Sequence, residues 1–520
     1  MLFQAYKDSI IPSETTEYSA SEAKVEMGEL LKNTVDRYLV IENIKSKLEN
    51  LKAQIGDGEG LHVILIFKYG LDGTGDQQGY KQRGVDCANL LASQMCPIRI
   101  VVKETSRVIF TNPLANCPCS HRPVRLSYEL EDRESVEEEY ERMKEQVDAM
   151  LPYSPLEGIT IHWLGIPSEN DGKALTFILD EAAFSSCPLC GGKEKAISYR
   201  NKQFKVKTHV KGKRVNVLMH GLSPTHMWIR SAAFILNLGC YSTIKKPKVQ
   251  NQGDKEERAR RQNEIADRIK EELNLVVFGK GPHGGGVLEG NTARKLFDNA
   301  ELLSEVCDVP VELILALRKL CRGAASTQPI DPEKYKRAGE EFERIFFENF
   351  LSSDNQTSWY WLPCTIHKAV KHGHEIIAAL PVPPGLAGEE GSEGQNKYFR
   401  SVRKDLTCKV SAERTLKDLY DRLMAKSDPL MNDYVAERVL RKRKERDIPD
   451  DLKDLLTDEY LQSLENQQAN EIDHENVVAH DEVEDEEVEN EDVENEEDSD
   501  YTDISSGDEE MNSDSDDELI

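Results

Sequence analysis

Three sets of carboxylates stand where a folded chain could gather them. Asp72 and Asp76, in Asp72-Gly-Thr-Gly-Asp76, directly follow the apolar run 61–67. Asp171, in Pro-Ser-Glu-Asn-Asp171-Gly-Lys-Ala-Leu, follows a second apolar run at 158–164. Glu389, Glu390 and Glu393 open the helix-like stretch that continues through Asn396-Lys397-Tyr-Phe-Arg400. Carboxylates brought from separate elements to one point can hold two divalent cations roughly 3.5–4 Å apart, the arrangement that drives in-line phosphoryl transfer. Each set also has a simpler reading. An Asp-Gly turn closes many strands, aspartate is a common helix N-cap, and acidic residues favour a helix N-terminus.

A second chemistry is written in cysteine and histidine. Cys187-Pro-Leu-Cys190 offers half of a tetrahedral zinc site, and His367 and His372, separated by four residues, have the spacing of the other half. The halves are nearly 180 residues apart, so a shared metal would staple distant segments rather than fold a small module. His374 is the alternative to His372. Cys117-Pro-Cys119 is too closely spaced for one tetrahedral ion and reads as core or loop. The glycine-rich loop 279–286 lacks the Walker spacing, which excludes a nucleotide P-loop.

The elements that must position these groups follow from periodicity. The run 61–67 is short, apolar and β-branched, as a buried strand is. Further strands are expected at 97–103, 107–111 and 158–164, with an amphipathic Glu-rich helix at about 131–151. Helical spacing recurs over much of 1–60, at 173–184, across 225–275 and up to about 350. Strands interleaved with helices imply an α/β chain with a mixed sheet.

Charge divides the chain sharply. Of the formal net charge of −29, 25 acidic residues with no Lys or Arg fall in 471–520, so residues 1–470 carry a net of −4. That tail cannot bury a core and is expected to be disordered. The 11 cysteines are thinly spread and no apolar run approaches a membrane span, which fits a reducing compartment without membrane insertion. Leu440-Arg-Lys-Arg-Lys-Glu-Arg446 reads equally as a nuclear import signal or a solvated helix face.

Taken in order, these anchors resemble the recombination-activating protein 1 family, the catalytic recombinase subunit of V(D)J recombination, and its transposon-encoded relatives. Asp72-Gly-Thr-Gly-Asp76 resembles the family's first catalytic aspartate motif, and Asp171-Gly-Lys-Ala-Leu its second. Cys187, Cys190, His367 and His372 match its zinc ligands in order and local spacing. Asn291-Thr-Ala-Arg294-Lys295-Leu296 is similar to its Asn-x-Ala-Arg-Lys-Leu segment. Glu390-Gly-Ser-Glu393-Gly-Gln-Asn396-Lys397-Tyr-Phe399-Arg400 resembles its closing motif. The likeness spans roughly residues 20–430.

The resemblance implies an RNase H-like mixed-sheet core interrupted by a mostly helical zinc-binding insertion. The divisions would be a helical pre-core region at 1–60, the first part of the core at 61–180, and the insertion at 181–375. A closing catalytic helix and helical region at 376–445, a transition at 446–470 and the acidic tail at 471–520 complete the chain. Asp72, Asp171 and Glu390 would hold two Mg²⁺ or Mn²⁺, with Asp76 in a supporting place, and the Cys/His quartet would hold Zn²⁺. The implied activity is nicking of duplex DNA, followed by hairpin formation or strand transfer, in the nucleus. Implied partners are terminal inverted repeats or recombination signal sequences, a propeller-type accessory subunit and a second copy of the chain. Arg294, Lys295, Lys397, Arg400, Arg403 and Lys404 are the expected DNA contacts. Two features depart from the family. The interval from Asp171 to Cys187 is a few residues short, with Asp180 the alternative acid. The RING-type and nonamer-binding modules that the family places ahead of the core are missing from this sequence. The alternative function is therefore that of a domesticated or truncated noncatalytic relative that binds DNA or protein.

Overall fold

The computed structural model describes residues 9–12, 14–55, 60–75, 88–181, 186–192, 204–244, 251–279, 288–350, 362–442 and 448–466. Asp76, most of the loop 279–286, much of 440–446 and the acidic tail lie outside the described residues.

The chain is a mixed α/β protein built around one long strand, β3 (Leu61–Thr74), nearly every residue of which is buried. Burial on both faces is why its sequence is a continuous apolar run rather than an alternating one. Two short strands, β1 (Glu17–Tyr18) and β2 (Glu22–Lys24), and two helices, α1 (Met27–Tyr38) and α2 (Glu42–Ile55), precede it. After it come β4 (Leu90–Val102), β5 (Val108–Thr111), β6 (Arg122–Ser127), helix α3 (Arg133–Asp148), β7 (Tyr153–Leu156) and β8 (Ile159–Ile166). The sheet order is β1-β2-β6-β4-β3-β8-β7, with β5 also paired to β4. Strands β3, β4 and β6 form an antiparallel set. The chain then crosses through α3 and returns so that β8 lies parallel to β3, with Lys68 opposite Ile166.

Three sequence expectations change here. The strand at 61–67 runs on to Thr74, so Asp72 lies within it, opposite Ala92, and not after its end. Lys68, the first residue past the apolar run, is fully buried within the strand and paired with Glu169. The strand expected at 97–103 begins at Leu90, because Pro97 sits at an irregularity of the β3–β4 ladder, where its missing N–H is tolerated. β6 escaped notice because it begins with Arg122. That guanidinium is fully buried and donates to Thr34 Oγ1 (2.6 Å), the Ile10 carbonyl (2.9 Å) and Asn33 Oδ1 (3.0 Å).

Beyond β8, a short helix α4 (Gly172–Ile178) leads to a helical region. It comprises α5 (Pro224–Tyr241), α6 (Gln252–Leu273), α7 (Gly290–Asp298), α8 (Ala300–Cys307), α9 (Val311–Ala324) and α10 (Pro332–Phe350), with a small hairpin of His209–Val210 and Lys213–Arg214 before them. Helix α11 (Cys364–His367) passes into a π-helical turn, Lys368–His372, and then α12 (Gly373–Ala379). The chain then returns to the sheet with α13 (Glu390–Asp405), α14 (Ala412–Lys426) and α15 (Pro429–Lys442). Among the described residues, no helix is long and apolar enough to cross a membrane.

Candidate active site and metal centre

Because β3 and β8 are parallel neighbours, their C-terminal ends emerge on the same side of the sheet. Asp72 lies four residues past Lys68 on β3, and Asp171 lies five past Ile166, so the topology carries both acids to that side. Gly70 makes the approach possible. A Cβ there would collide with the Glu169 carbonyl, in the loop that leads to Asp171. Helix α13 closes over this end. Its Asn396 amide donates to Asp72 Oδ2 at 2.7 Å, and Arg400 Nε donates to Thr74 Oγ1 at 3.0 Å.

The first turn of α13 concentrates negative charge. Glu390 forms an ion pair with Arg294 of α7, and its Oε1 lies 3.5 Å from Thr225 Oγ1. Glu389 is buried. Its Oε1 accepts from Ser223 Oγ at 2.7 Å and lies 3.4 Å from His226 Nδ1. Glu393 Oε1 lies 3.0 Å from the same His226 nitrogen. Burial pushes the Glu393 carboxyl up, and the charges of Glu389, Asp171 and Glu390 push it further, while His226 opposes them. His226 is itself raised: burial would lower it, but Glu389, Glu393 and Asp171 prevail. Asp171 therefore shares an electrostatic neighbourhood with the α13 acids, while its Oδ1 caps α4 by accepting from the Ala174 N–H at 2.6 Å.

A buried charge network holds this end in place. Lys68 Nζ donates to the Gly388 carbonyl (2.6 Å) and Asn116 Oδ1 (3.2 Å), and lies 3.4 Å from Glu169 Oε1. His121 Nε2 is 2.5 Å from that oxygen. Burial alone would raise Glu169, but His121 and Lys68 hold its carboxyl below the usual range. Gly391 packs so tightly on the His121 ring that no Cβ fits there. The strand bearing Asp72 and the loop before Glu390 are thus tied through one lysine. Removing Lys68 leaves the buried Glu169 with His121 alone and the Gly388 carbonyl without its donor, so Lys68→Met is expected to cost about 3–5 kcal/mol. Denaturant unfolding measures it, and a loss under about 1 kcal/mol would show that the network is not charged.

The zinc-type ligands meet. One ligand atom each from Cys187, Cys190, His367 and His372 lies within 4.8 Å of the other three, and all but Cys190 are buried. Cys190 Sγ is 3.4 Å from His367 Nε2. The π turn explains how two histidines five positions apart converge. At about 100° per residue, an ordinary α-helix would leave them about 140° apart, and the wider winding reduces that angle. His372 Nδ1 lies 3.1 Å from Glu375 Oε2, while its buried Nε2 has no hydrogen-bond partner. An imidazole held through one nitrogen and bare at the other is set to ligate. The four residues can hold a metal such as zinc.

Among the described residues, the only other metal-competent group is His226, Glu389 and Glu393; Asp72, Asp171 and Glu390 do not make a third. Asp180, the alternative acid, belongs to neither group and pairs with Arg133 at 3.4 Å. His374 is outside the zinc-type group. Cys117 and Cys119 lie with sulfurs 2.8 Å apart on the 3₁₀ turn Pro118–Ser120. Of the basic residues, Lys295, Lys397 and Lys404 are exposed, with Lys397 3.7 Å from Glu289. Arg294 is engaged by Glu390. Arg403 departs from expectation: it is buried, with its guanidinium 5.1 Å from the Tyr128 ring centre, and so holds α13 to β6 and its following loop rather than facing outward. Sequence reading missed His226 and Ser223, whose helical stretch carries no local signal, and it passed over Glu389 in favour of its neighbour.

Compared with known proteins, the chain matches no family model and no curated protein.

Proposed function

We propose that the chain is a DNA recombinase or transposase of the recombination-activating type, an endonuclease and strand transferase on an RNase H-like core with a zinc-containing helical insertion. One observation carries this reading. Asp72, in the last rungs of the ladder of β3, and Asp171, just past the parallel neighbour β8, lie toward one end of the sheet, and the helix opened by Glu390 hydrogen-bonds Asp72 through Asn396. An antiparallel three-strand set followed by a helix and a strand parallel to the first is the RNase H-like order, which supports the fold assignment.

Asp72, Asp171 and Glu390 offer only oxygen donors, which suits Mg²⁺ or Mn²⁺. Such cations would supply neutralisation of the charge that develops on a phosphodiester as it is cut. The chain's own residues fix the acids: Asn396 orients Asp72, the α4 backbone orients Asp171, and Arg294 balances Glu390. Lys295, Lys397, Arg400 and Lys404 are the proposed contacts to the DNA backbone, which such residues position without reading sequence. Duplex DNA ends, a propeller-type subunit, a second copy of the chain and a nuclear site of action belong to the same proposal.

The test is a supercoiled plasmid incubated with purified protein in Mn²⁺ and in chelator. Nicking in Mn²⁺ alone is expected. A second reading, a noncatalytic DNA- or protein-binding relative, is favoured by the Arg294–Glu390 ion pair, which already occupies one acid. DNA binding without metal-dependent nicking would overturn the first reading in favour of the second.

A further inference from the structure

We infer that His226, Glu389 and Glu393 form a binding site of their own for a divalent transition-metal ion, of the Mn²⁺ or Zn²⁺ class. The inference concerns binding alone and holds whether or not the cleft cuts DNA.

The local geometry is that of a ligand set. Glu389 and Glu393 are four residues apart across the start of α13, where the Glu393 N–H bonds to the Glu389 carbonyl at 3.2 Å, so both carboxylates share one helix face. His226 comes from the first turn of α5 and meets them from the facing side. Its Nδ1 is 3.0 Å from Glu393 and 3.4 Å from Glu389, and one ligand atom from each residue lies within 4.8 Å of the others.

A second observation points to an ion. The Glu389 side chain is 3 % exposed, and while one of its oxygens is taken by Ser223, the other is buried with no hydrogen-bond partner. Leaving such an acceptor bare is costly, and a cation lodged in the group would satisfy it. His226 and Glu393 are 29 % and 28 % exposed, so an ion can reach the site from solvent. Asp171 and Glu390 add negative charge nearby.

The donor types select the ion. Magnesium keeps oxygen ligands and sheds water reluctantly. An imidazole nitrogen beside two carboxylates suits the transition divalents, which bind nitrogen more strongly. An excess of Mg²⁺ should therefore fill oxygen-only sites and leave this one available.

The experiment is Mn²⁺ titration of the intact, zinc-replete protein in excess Mg²⁺, followed by calorimetry and by electron spin-echo spectroscopy for nitrogen coupled to manganese. Wild type is expected to bind one Mn²⁺ with a nitrogen coupling. His226→Gln should remove the coupling and weaken binding at least about tenfold, as should Glu393→Gln for affinity, whereas Asp72→Asn should leave both unchanged. Thermal melts establish that each variant is folded, and the two variants stand in for each other if one is not. Three results would overturn the inference: no Mn²⁺ retained against Mg²⁺, unchanged binding in both variants, or binding lost in Asp72→Asn and kept in His226→Gln. The first would leave His226 as an ion-pair partner only. Plasmid nicking, scored separately, decides the enzymatic reading independently of these outcomes.

Discussion

Asp72→Asn will lower metal-dependent nicking by about a thousandfold or more, equivalent to about 4 kcal/mol of transition-state stabilisation, while leaving the fold intact. The size follows from charge. Asparagine keeps the shape of aspartate but removes the negative oxygen a divalent cation needs, and metal neutralisation supplies most of the help a phosphodiester receives. The intact fold follows from the surroundings. Asp72 lies in the ladder opposite Ala92, and its side chain accepts from the Asn396 amide. Asn396 Oδ1 is buried without a partner, so a turned amide at Asn396 can accept from the new asparagine. The comparison that gives this result meaning is Asp180→Asn. Asp180 pairs with Arg133 and belongs to neither metal-competent group, so its loss should leave nicking unchanged. Equal nicking by wild type and Asp72→Asn would remove Asp72 from the chemistry.

What the sequence revealed, and what it concealed, has a physical pattern. The hydrophobic run of β3 and the helix at Glu390 were legible because burial and helix polarity leave local marks. The length of β3 was not, because Lys68 is a strand interior residue only when Glu169, a hundred positions away, neutralises it. Arg122 hid β6 for the same reason: its partners come from the N-terminal segment and α1. The zinc-type quartet was legible through two short spacings, yet the π turn that unites its histidines was not, since it is imposed by packing. At the acid cluster, the sequence offered Glu389, Glu390 and Glu393 together, and the motif pointed to Glu390. Burial distinguishes the two, Glu389 being enclosed and Glu390 facing Arg294, and burial belongs to the tertiary structure.

That dependence of local structure on distant partners gives the Cys/His group a large expected effect on stability. Cys190 and His367 are 177 positions apart, and a zinc ion between them would join the turn after α4 to the helices before α13. A metal that binds only the folded chain stabilises it by its binding free energy, about 4 kcal/mol when free zinc stands a thousandfold above the dissociation constant. Purified protein should therefore contain one zinc per chain, and chelation should lower the melting temperature on the order of 10 °C. Cys187→Ser should release the metal and match the chelated protein. Cys364→Ser and His374→Gln should keep it. Cys364 lies beside the group but directs its thiol to the Ser186 carbonyl at 3.3 Å, and His374 stands outside the quartet. Zinc retained in Cys187→Ser, or a melt indifferent to chelator, would sink the ligand set. If the prediction holds, the electrostatic surroundings of Glu389 depend on this metal as well. Lys368, buried in the π turn between the two histidines, is close enough to feel the charges of both Cys187 and Glu389. Loss of zinc should then also reduce Mn²⁺ binding at His226, Glu389 and Glu393, a coupling that the same titration can read in chelated protein.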